Sequence, residues 1–165
     1  MADETLTRRT FAGLAGIGAI GLLLFGRSTS SRGEPIHFAI SHSPAEWKAK
    51  LGAQRYAVLR QAATERPFSS PLLNEHRKRT FTCAGCGLPL YSSATKFESG
   101  TGWPSFWKPL PNAVVTRSDR SLLMERTEVL CERCGGHLGH VFNDGPKPTG
   151  LRYCMNGLAL QFRPA

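Results

Sequence analysis

Two stretches of the sequence decide the fold: CAGCG at residues 83–87 and CERCG at residues 131–135. Each is a Cys-x-x-Cys turn followed by a glycine, which lets the backbone curl tightly around the two sulfur atoms. The four thiols belong to Cys83, Cys86, Cys131 and Cys134. Two such turns can place four thiolates tetrahedrally around a zinc ion. Because 44 residues separate the two pairs, more than in a simple zinc ribbon, the pattern predicts a zinc clamp that joins distant segments of one domain.

Two other interpretations of these cysteine pairs stay open. A chain that enters an oxidising compartment can form disulfides, and a single Cys-x-x-Cys can act as a thioredoxin-like redox pair. Two matched pairs favour zinc over one redox motif. A zinc ion closed by four thiolates has no open position for chemistry, so the predicted zinc is structural and catalysis must come from other residues.

Composition places the chain among globular proteins. Its 165 residues suit one catalytic domain with a tail, and a hydrophobic content of 41% is too high for a disordered chain. The net charge of +9 fits either a solvated basic surface or attraction to nucleic acid. The longest basic run, residues 77–79, has no interleaved aromatic residues, so we predict no nucleic-acid partner. No segment has the glycine fingerprint of a nucleotide-binding βαβ unit.

The N-terminus has the features of a targeting segment. Arg8 and Arg9 precede an uncharged stretch at residues 11–26, a pattern that resembles the bacterial twin-arginine export signal. A membrane anchor is the alternative, although 16 residues are fewer than the roughly 20 needed to span a bilayer. No clear cleavage site follows. We therefore predict an export signal or anchor at residues 1–33, a domain at residues 34–165, and a periplasmic location.

The rest of the chain predicts a mainly β fold with short N-terminal helices. Ser43 and Glu46 form a capping box with proline at the first helical position, and Gly52 is expected to split the region into helices at 44–51 and 53–64. From residue 79 onward short β-type runs alternate with turns. The predicted strands are 80–83, 113–116, 121–125, 127–130, 141–142, 153–155 and 158–162.

The fifth cysteine, Cys154, is the one thiol outside the two pairs. A lone cysteine in a β-type run is often a small core residue. Here Arg152 and Asn156 lie two positions away on either side, so a strand would turn all three side chains to one face. A neighbouring guanidinium favours the thiolate form of a cysteine, which makes Cys154 a candidate nucleophile.

Two further clusters carry candidate site residues. The glycine-rich stretch at residues 135–145 provides His137, His140 and Asp144, groups that suit proton delivery and orientation of water. Each histidine alone could equally be structural. The loop at residues 99–107 carries three aromatic residues, which belong to the core or wall an apolar pocket around Trp103.

Together these stretches resemble the B-type methionine sulfoxide reductase family. The matching segments are residues 82–87, 97–106, 131–145 and 152–156, and the resemblance runs from about residue 45 to residue 162. It implies a mainly β fold with two small antiparallel sheets, stapled by a four-cysteine zinc site opposite the active site. The implied activity is reduction of the R epimer of methionine sulfoxide, free or in proteins, which repairs oxidised proteins.

The resemblance also implies roles for individual residues. Cys154 corresponds to the catalytic cysteine, and the four paired cysteines correspond to ligands of one structural Zn²⁺. Trp103 matches the tryptophan that packs against the substrate's ε-methyl group, and Phe142 is assigned to the same substrate-binding region. The polar residues around the sulfoxide oxygen and the thiolate are His137, His140, Asp144, Arg152 and Asn156. We expect His140 to be the principal acid, with His137 and Asp144 organising water.

Recycling of the nucleophile depends on one departure from the family pattern. Thr101 occupies the place where many relatives carry a resolving cysteine, so we expect no internal disulfide. The sulfenic acid that forms on Cys154 would be reduced by an external thiol, either a thioredoxin-like protein or a low-molecular-weight thiol. We expect a monomer. The competing hypothesis, a zinc-ribbon-type binding module without catalysis, leaves Cys154 and the histidines unexplained.

Overall fold

The computed structural model describes residues 36–121 and 124–163. Within these ranges the chain forms one α-helix, three short 3-10 helices and nine strands. The predicted targeting segment at residues 1–33 lies outside the described residues. None of the helices in the described ranges has the length and apolar character needed to cross a membrane.

The helix α1 spans Pro44–Gln61 and begins at the predicted capping box. The backbone N–H of Ser43 donates to Glu46 Oε2 at 2.8 Å, and Ser43 Oγ accepts from the backbone N–H of Glu46 at 3.3 Å. Gly52 interrupts the helix with φ 69° and ψ 170°, so the predicted break is confirmed. The helix ends before the predicted residue 64, because Ala62 adopts a left-handed conformation that terminates α-helical hydrogen bonding.

All strands pair antiparallel in two sheets. The first sheet has the order β2-β1-β9, and the second has the order β3-β4-β8-β7-β6-β5. The strands are β1 Thr80–Cys83, β2 Pro89–Ser92, β3 Lys96–Phe97, β4 Ser105–Phe106, β5 Val114–Asp119, β6 Arg126–Cys131, β7 His137–Phe142, β8 Arg152–Met155 and β9 Leu160–Arg163. The mainly β fold with two antiparallel sheets is confirmed.

Four of the predicted strands differ from the structure. The predicted strands 113–116 and 141–142 overlap only parts of β5 and β7, which span Val114–Asp119 and His137–Phe142. The described residues of the predicted strand 121–125 are Ser121, Met124 and Glu125, and they lie exposed in the turn between β5 and β6. The predicted strand 158–162 begins instead as the 3-10 helix Gly157–Ala159 and joins the sheet from Leu160. The strands β2, β3 and β4 were not predicted, because segments of two to four residues are too short to show an alternating pattern.

An aromatic cluster links the two sheets at their buried faces. Tyr91 of β2 stacks on Phe106 of β4 with ring centroids 4.4 Å apart, and Phe81 of β1 meets Phe106 edge-on at 5.0 Å. The Tyr91 hydroxyl donates to Met155 Sδ at 3.1 Å. Burying each such side chain contributes about 1.5–3 kcal/mol. This core therefore fixes β8, the strand that carries Cys154, and its neighbour β4.

Candidate active site

The four paired cysteines converge, as the spacing predicted. Their Sγ atoms lie within 4.8 Å of one another, with separations of 3.7 Å for Cys83 and Cys134 and 3.5 Å for Cys86 and Cys131. A tetrahedron with zinc–sulfur bonds of about 2.3 Å has edges of about 3.8 Å, whereas a disulfide needs about 2.0 Å. The donor set and its geometry therefore fit a closed four-thiolate metal site.

Cys154 lies in the middle of the larger sheet. It is on β8, directly opposite His140 of β7 on one side and Ser105 of β4 on the other. Residues that pair directly across antiparallel strands have Cβ atoms about 4.5–5.5 Å apart and project to the same face. The sheet thus places the thiol and the imidazole of His140 side by side. Further along this row of the sheet lie Arg117 and Glu128.

Each site histidine is bonded to a carboxylate on the β5–β6 hairpin. His140 Nε2 lies 2.8 Å from Asp119 Oδ2, and His137 Nδ1 lies 2.7 Å from Glu128 Oε1. Arg126 donates to the same Asp119 oxygen at 2.6 Å. Sequence reasoning missed both carboxylates, which stand in contact with the predicted acid and its neighbour.

These contacts fix the proton positions on the two imidazole rings. A carboxylate can only accept, so the bonded nitrogens are Nε2–H in His140 and Nδ1–H in His137. The other ring nitrogens are then left for the site. His137 Nε2 is buried without a hydrogen-bond partner among the described residues. The two rings meet edge-on with centroids 5.4 Å apart, so the two imidazoles are in direct contact.

Burial and charge set the pKa values of this group. Burial lowers the pKa of His140, and the hydrogen bond to Asp119 opposes that shift without cancelling it. Hydrogen bonds from Ser121 and His140 hold the pKa of Asp119 well below its usual range. Burial raises the pKa of Glu128, but hydrogen bonds from His137 and Arg117 outweigh it and lower the value. Both carboxyl groups are therefore ionised at neutral pH.

Arg152 is held beside the thiol by two contacts. Its Nε and Nη2 donate to the two oxygens of Asp144, each at 2.9 Å. Its guanidinium carbon lies 4.4 Å from the centroid of the Phe142 ring. The ion pair with Asp144 raises the pKa of Arg152, and the nearby charge of Cys154 adds to that shift. The guanidinium is thus placed to stabilise a thiolate.

Trp103 is anchored through a segment that the sequence did not single out. Its Nε1 donates to the backbone oxygen of Glu65 at 3.1 Å. The Glu65 carboxylate accepts from the backbone N–H groups of Gly157 and Leu158. Burial raises the pKa of Glu65, while these hydrogen bonds oppose the shift. Glu65 therefore connects the tryptophan loop to the turn that follows β8.

The side chain of Asn156 is committed to the backbone. Its Oδ1 accepts from the N–H of Glu65 at 3.0 Å, and its Nδ2 donates to the oxygen of Leu138 at 3.2 Å. Asn156 was predicted to act beside the thiolate. In the structure it is buried and joins the segment around Glu65 to β7, which places it among the residues that position the site.

A chain of hydroxyl groups leads to the thiol from the other side. Thr101 Oγ1 lies 3.7 Å from Cys154 Sγ. Ser99 Oγ lies 2.8 Å from Thr101 Oγ1 and 2.7 Å from Ser105 Oγ. If Thr101 donates to a thiolate, Ser99 can donate to Thr101. The Ser105 hydroxyl also donates to the backbone oxygen of Trp103 at 3.1 Å, which ties this group to the tryptophan loop. In the sequence Thr101 was noted only because it replaces a resolving cysteine. In the structure its hydroxyl contacts the Cys154 thiol.

The aromatic residues of the tryptophan loop, which the sequence grouped together, lie in different environments in the structure. Phe106 is fully buried in the aromatic core, so it does not wall the site. Trp103 is partly exposed, as a substrate contact must be. A cavity of about 900 Å³ lies between α1, residues 63–77 and residues 157–162, and Cys154 does not line it. Cys154 itself is partly exposed.

Comparisons with known proteins agree with this arrangement. The SelR domain family matches residues 51–164. The peptide methionine sulfoxide reductase MsrB of Leptospira interrogans is 51% identical over 129 residues, which cover 78% of this chain and 98% of the relative. The protein of the same name from Methanosarcina barkeri is 54% identical over 126 residues, with coverages of 76% and 89%. That of Agrobacterium fabrum is 49% identical over 126 residues, with coverages of 76% and 93%.

Proposed function

This chain belongs to the SelR domain family, the family of the peptide methionine sulfoxide reductases, and we infer that it is an oxidoreductase that reduces methionine (R)-sulfoxide through Cys154. The observation that carries the proposal is the pairing of Cys154 with His140 across β7 and β8. It puts a nucleophile and a proton donor side by side on one exposed face. Trp103 lies on the loop that leads into β4, the strand paired with Cys154 on the other side.

The first step is attack of the Cys154 thiolate on the sulfoxide sulfur. Arg152 and the hydroxyl of Thr101 stabilise the thiolate before attack. A proton from the site passes to the sulfoxide oxygen, the sulfur–oxygen bond breaks, and the oxygen ends on the cysteine sulfur. The products are methionine and a sulfenic acid. The methionine sulfur gains the two electrons that the cysteine sulfur loses, so the step balances.

His140 supplies that proton. Its Nε2–H is held by Asp119, so its Nδ1 carries the second proton when the ring is charged. Asp119 stabilises the imidazolium, while burial makes it a stronger acid. Both effects suit a group that must be protonated before the reaction and give up its proton during it. His137 Nε2 and Asp144 orient the water or the substrate oxygen.

The sulfenic acid is then reduced by an external thiol. Four of the five cysteines lie in the metal-type cluster, which leaves Cys154 without an internal thiol partner. A donor thiol displaces water to form a mixed disulfide, and a second donor thiol releases Cys154. A thioredoxin-like protein or a low-molecular-weight thiol can fill this role. We expect the enzyme to act as a monomer.

One zinc ion in the cysteine cluster completes the proposal. Cys83, Cys86, Cys131 and Cys134 would hold it, and as a closed site it would supply fold stability without an open coordination position. The chemistry at Cys154 would then not involve the metal.

We further propose that residues 1–33 export the protein to the periplasm or anchor it at the membrane. The support is Arg8 and Arg9 ahead of the uncharged stretch at residues 11–26. Fractionation of cells that express the full chain and an Arg8→Lys/Arg9→Lys variant tests this proposal. The wild-type protein should be periplasmic and the variant cytoplasmic; an equal distribution of both would contradict export by this route.

The activity is tested with the separate R and S epimers of methionine sulfoxide. We expect turnover of the R epimer with a dithiol reductant, and turnover of the S epimer at a level near background. Cys154→Ser should abolish turnover while leaving the zinc content and the unfolding midpoint unchanged. Equal rates on both epimers, or activity retained in Cys154→Ser, would contradict the proposal.

A further inference from the structure

Phe68 is an exposed aromatic residue in an unfavourable backbone conformation beside the tryptophan loop. Its side chain is 71% exposed, and its φ is 62°. A left-handed conformation is rare for a bulky residue, because it brings Cβ too close to the following carbonyl oxygen. Such strain persists where surrounding contacts impose it, and it concentrates at functional sites.

The contacts that impose this conformation come from the substrate loop. The backbone N–H of Phe68 donates to the oxygen of Gly102 at 2.7 Å. A Cβ placed on Gly102 would come within 2.8 Å of Pro67 Cβ and 3.0 Å of Phe68 Cδ2. The ring edge of Phe68 therefore lies against the residue that precedes Trp103, and the glycine is needed for that close approach.

The same segment holds Trp103 from its other end. Glu65 accepts the hydrogen bond of the Trp103 indole, three residues before Phe68. Residues 65–68 therefore contact residues 102–103 at both ends, and the turn keeps the Phe68 ring against Gly102, the residue before Trp103. Most of that ring faces solvent, so it has apolar area that a ligand bound at Trp103 can still bury.

We propose that Phe68 binds the polypeptide chain on either side of an oxidised methionine and gives the enzyme a preference for apolar flanking residues. The inference rests on the proposed function, since it extends the site at Trp103 toward the substrate's neighbouring residues. The partner is an extended peptide segment, and the chemistry is burial of an apolar side chain against an exposed aromatic ring. Free methionine sulfoxide is too short to present such a side chain.

The variant that tests this is Phe68→Asn. Asparagine tolerates the left-handed conformation better than other non-glycine residues, so the turn should keep its shape while the apolar ring is lost. The matched control is Ile36→Ser, which removes another exposed apolar side chain, 47% exposed. Ile36 is two residues from Phe38 in the sequence, and the Phe38 ring packs on Gly135 at the cysteine cluster. The control therefore changes an exposed apolar side chain outside the segments at residues 65–68 and 102–103.

Three substrates separate the outcomes: two (R)-sulfoxide peptides that differ only in leucine or serine flanking the methionine, and a blocked single residue. For the wild type and Ile36→Ser, kcat/KM should be higher for the leucine peptide than for the serine peptide. In Phe68→Asn that ratio should fall about five- to tenfold, as expected for loss of part of a buried aromatic side chain.

An unchanged ratio in Phe68→Asn would overturn the inference. An equal loss on all three substrates would also overturn it, because that result would mean that the ring supports the fold. If the wild type reduces none of the three substrates, the proposed function itself fails, and that outcome is distinct from both of the others.

Discussion

At the scale of single residues, the site depends on groups that hold the catalytic side chains as much as on those side chains. His140 and His137 lie next to each other, yet opposite ring nitrogens are bonded to carboxylates. The two imidazoles therefore offer different nitrogens to the site. The ring nitrogen that carries the proton is set by Asp119 in His140 and by Glu128 in His137, and both carboxylates lie on the neighbouring hairpin.

Asp119→Asn tests this dependence. The substitution removes the charge that stabilises the His140 imidazolium, so the pKa of His140, already lowered by burial, should fall further. Activity that needs protonated His140 should then disappear at a lower pH than in the wild type as the pH is raised. We expect kcat near neutral pH to fall about tenfold to a hundredfold, measured as a pH profile of kcat.

The control for this variant is Glu125→Gln, on the same hairpin. The Glu125 carboxylate accepts hydrogen bonds from Ser118 and Arg120 rather than from a histidine. Glu125→Gln should keep the wild-type profile. If Asp119→Asn also keeps the wild-type pH profile, Asp119 does not govern the proton on His140.

The sequence could predict the residues proposed to carry out the chemistry, but not the carboxylates that form hydrogen bonds with the two histidines. Cys154, the histidines and the paired cysteines stand out because their residue types and spacing are rare. Asp119 was assigned to no site because it lies at the end of β5, and its contact with His140 depends on how three strands pair. Glu128, flanked by Thr127 and Val129 in a predicted strand, was a detectable signal: a charged residue in a buried strand needs a partner.

At the scale of elements, the hairpin of β7 and β8 builds the site. Its register pairs His140 with Cys154 and Gly139 with Met155. A Cβ on Gly139 would come within 2.1 Å of the backbone oxygen of Cys154. The glycine thus permits the close approach of β7 and β8, the strands that carry the proposed acid and the proposed nucleophile.

Gly139→Ala should therefore force β7 and β8 apart. We expect the free energy of unfolding to fall by about 3 kcal/mol or more, and kcat to fall with it. Gly52→Ala is the matched control, since Gly52 also has a positive φ but no atom within 4 Å of its Cβ position. It should cost about 1–2 kcal/mol, from the backbone conformation alone. Urea unfolding compares the two, and equal losses would contradict a steric role for Gly139.

Element boundaries were predictable where a local signal exists. The capping box at Ser43 and the break at Gly52 each depend on residues that are close together in the sequence, and both are confirmed. The two-residue strands β3 and β4 are not detectable locally, because they exist only through pairing with β8 and with each other. The error at residues 121–125 has a related cause: an apolar run between two strands was assigned to a third strand.

At the scale of the whole molecule, the cysteine cluster joins the two sheets. Cys83 ends β1 of the smaller sheet, and Cys131 ends β6 of the larger one. The two sheets also share the aromatic core around Phe106. A metal held by all four thiolates would therefore add a second connection between them.

Loss of one ligand should weaken the whole fold. Cys86→Ser should bind less than one zinc per chain and unfold at a clearly lower temperature, because zinc binding contributes to folding in sites of this type. Cys154→Ser, the cysteine variant outside the cluster, should keep one zinc and the wild-type midpoint. Metal analysis with thermal unfolding measures both. Zinc-free wild-type protein that is folded and active would contradict a structural metal.

In the proposed reaction Cys154 alone takes the oxygen from the substrate. Mass spectrometry and a thiol count after one equivalent of methionine (R)-sulfoxide, without reductant, test this step. The chain has five cysteines, and we predict that one thiol is lost, with a gain of about 16 Da on Cys154 for one oxygen. Loss of two thiols, with a disulfide between Cys154 and another cysteine, would contradict it, as would a chain that keeps all five thiols while methionine forms.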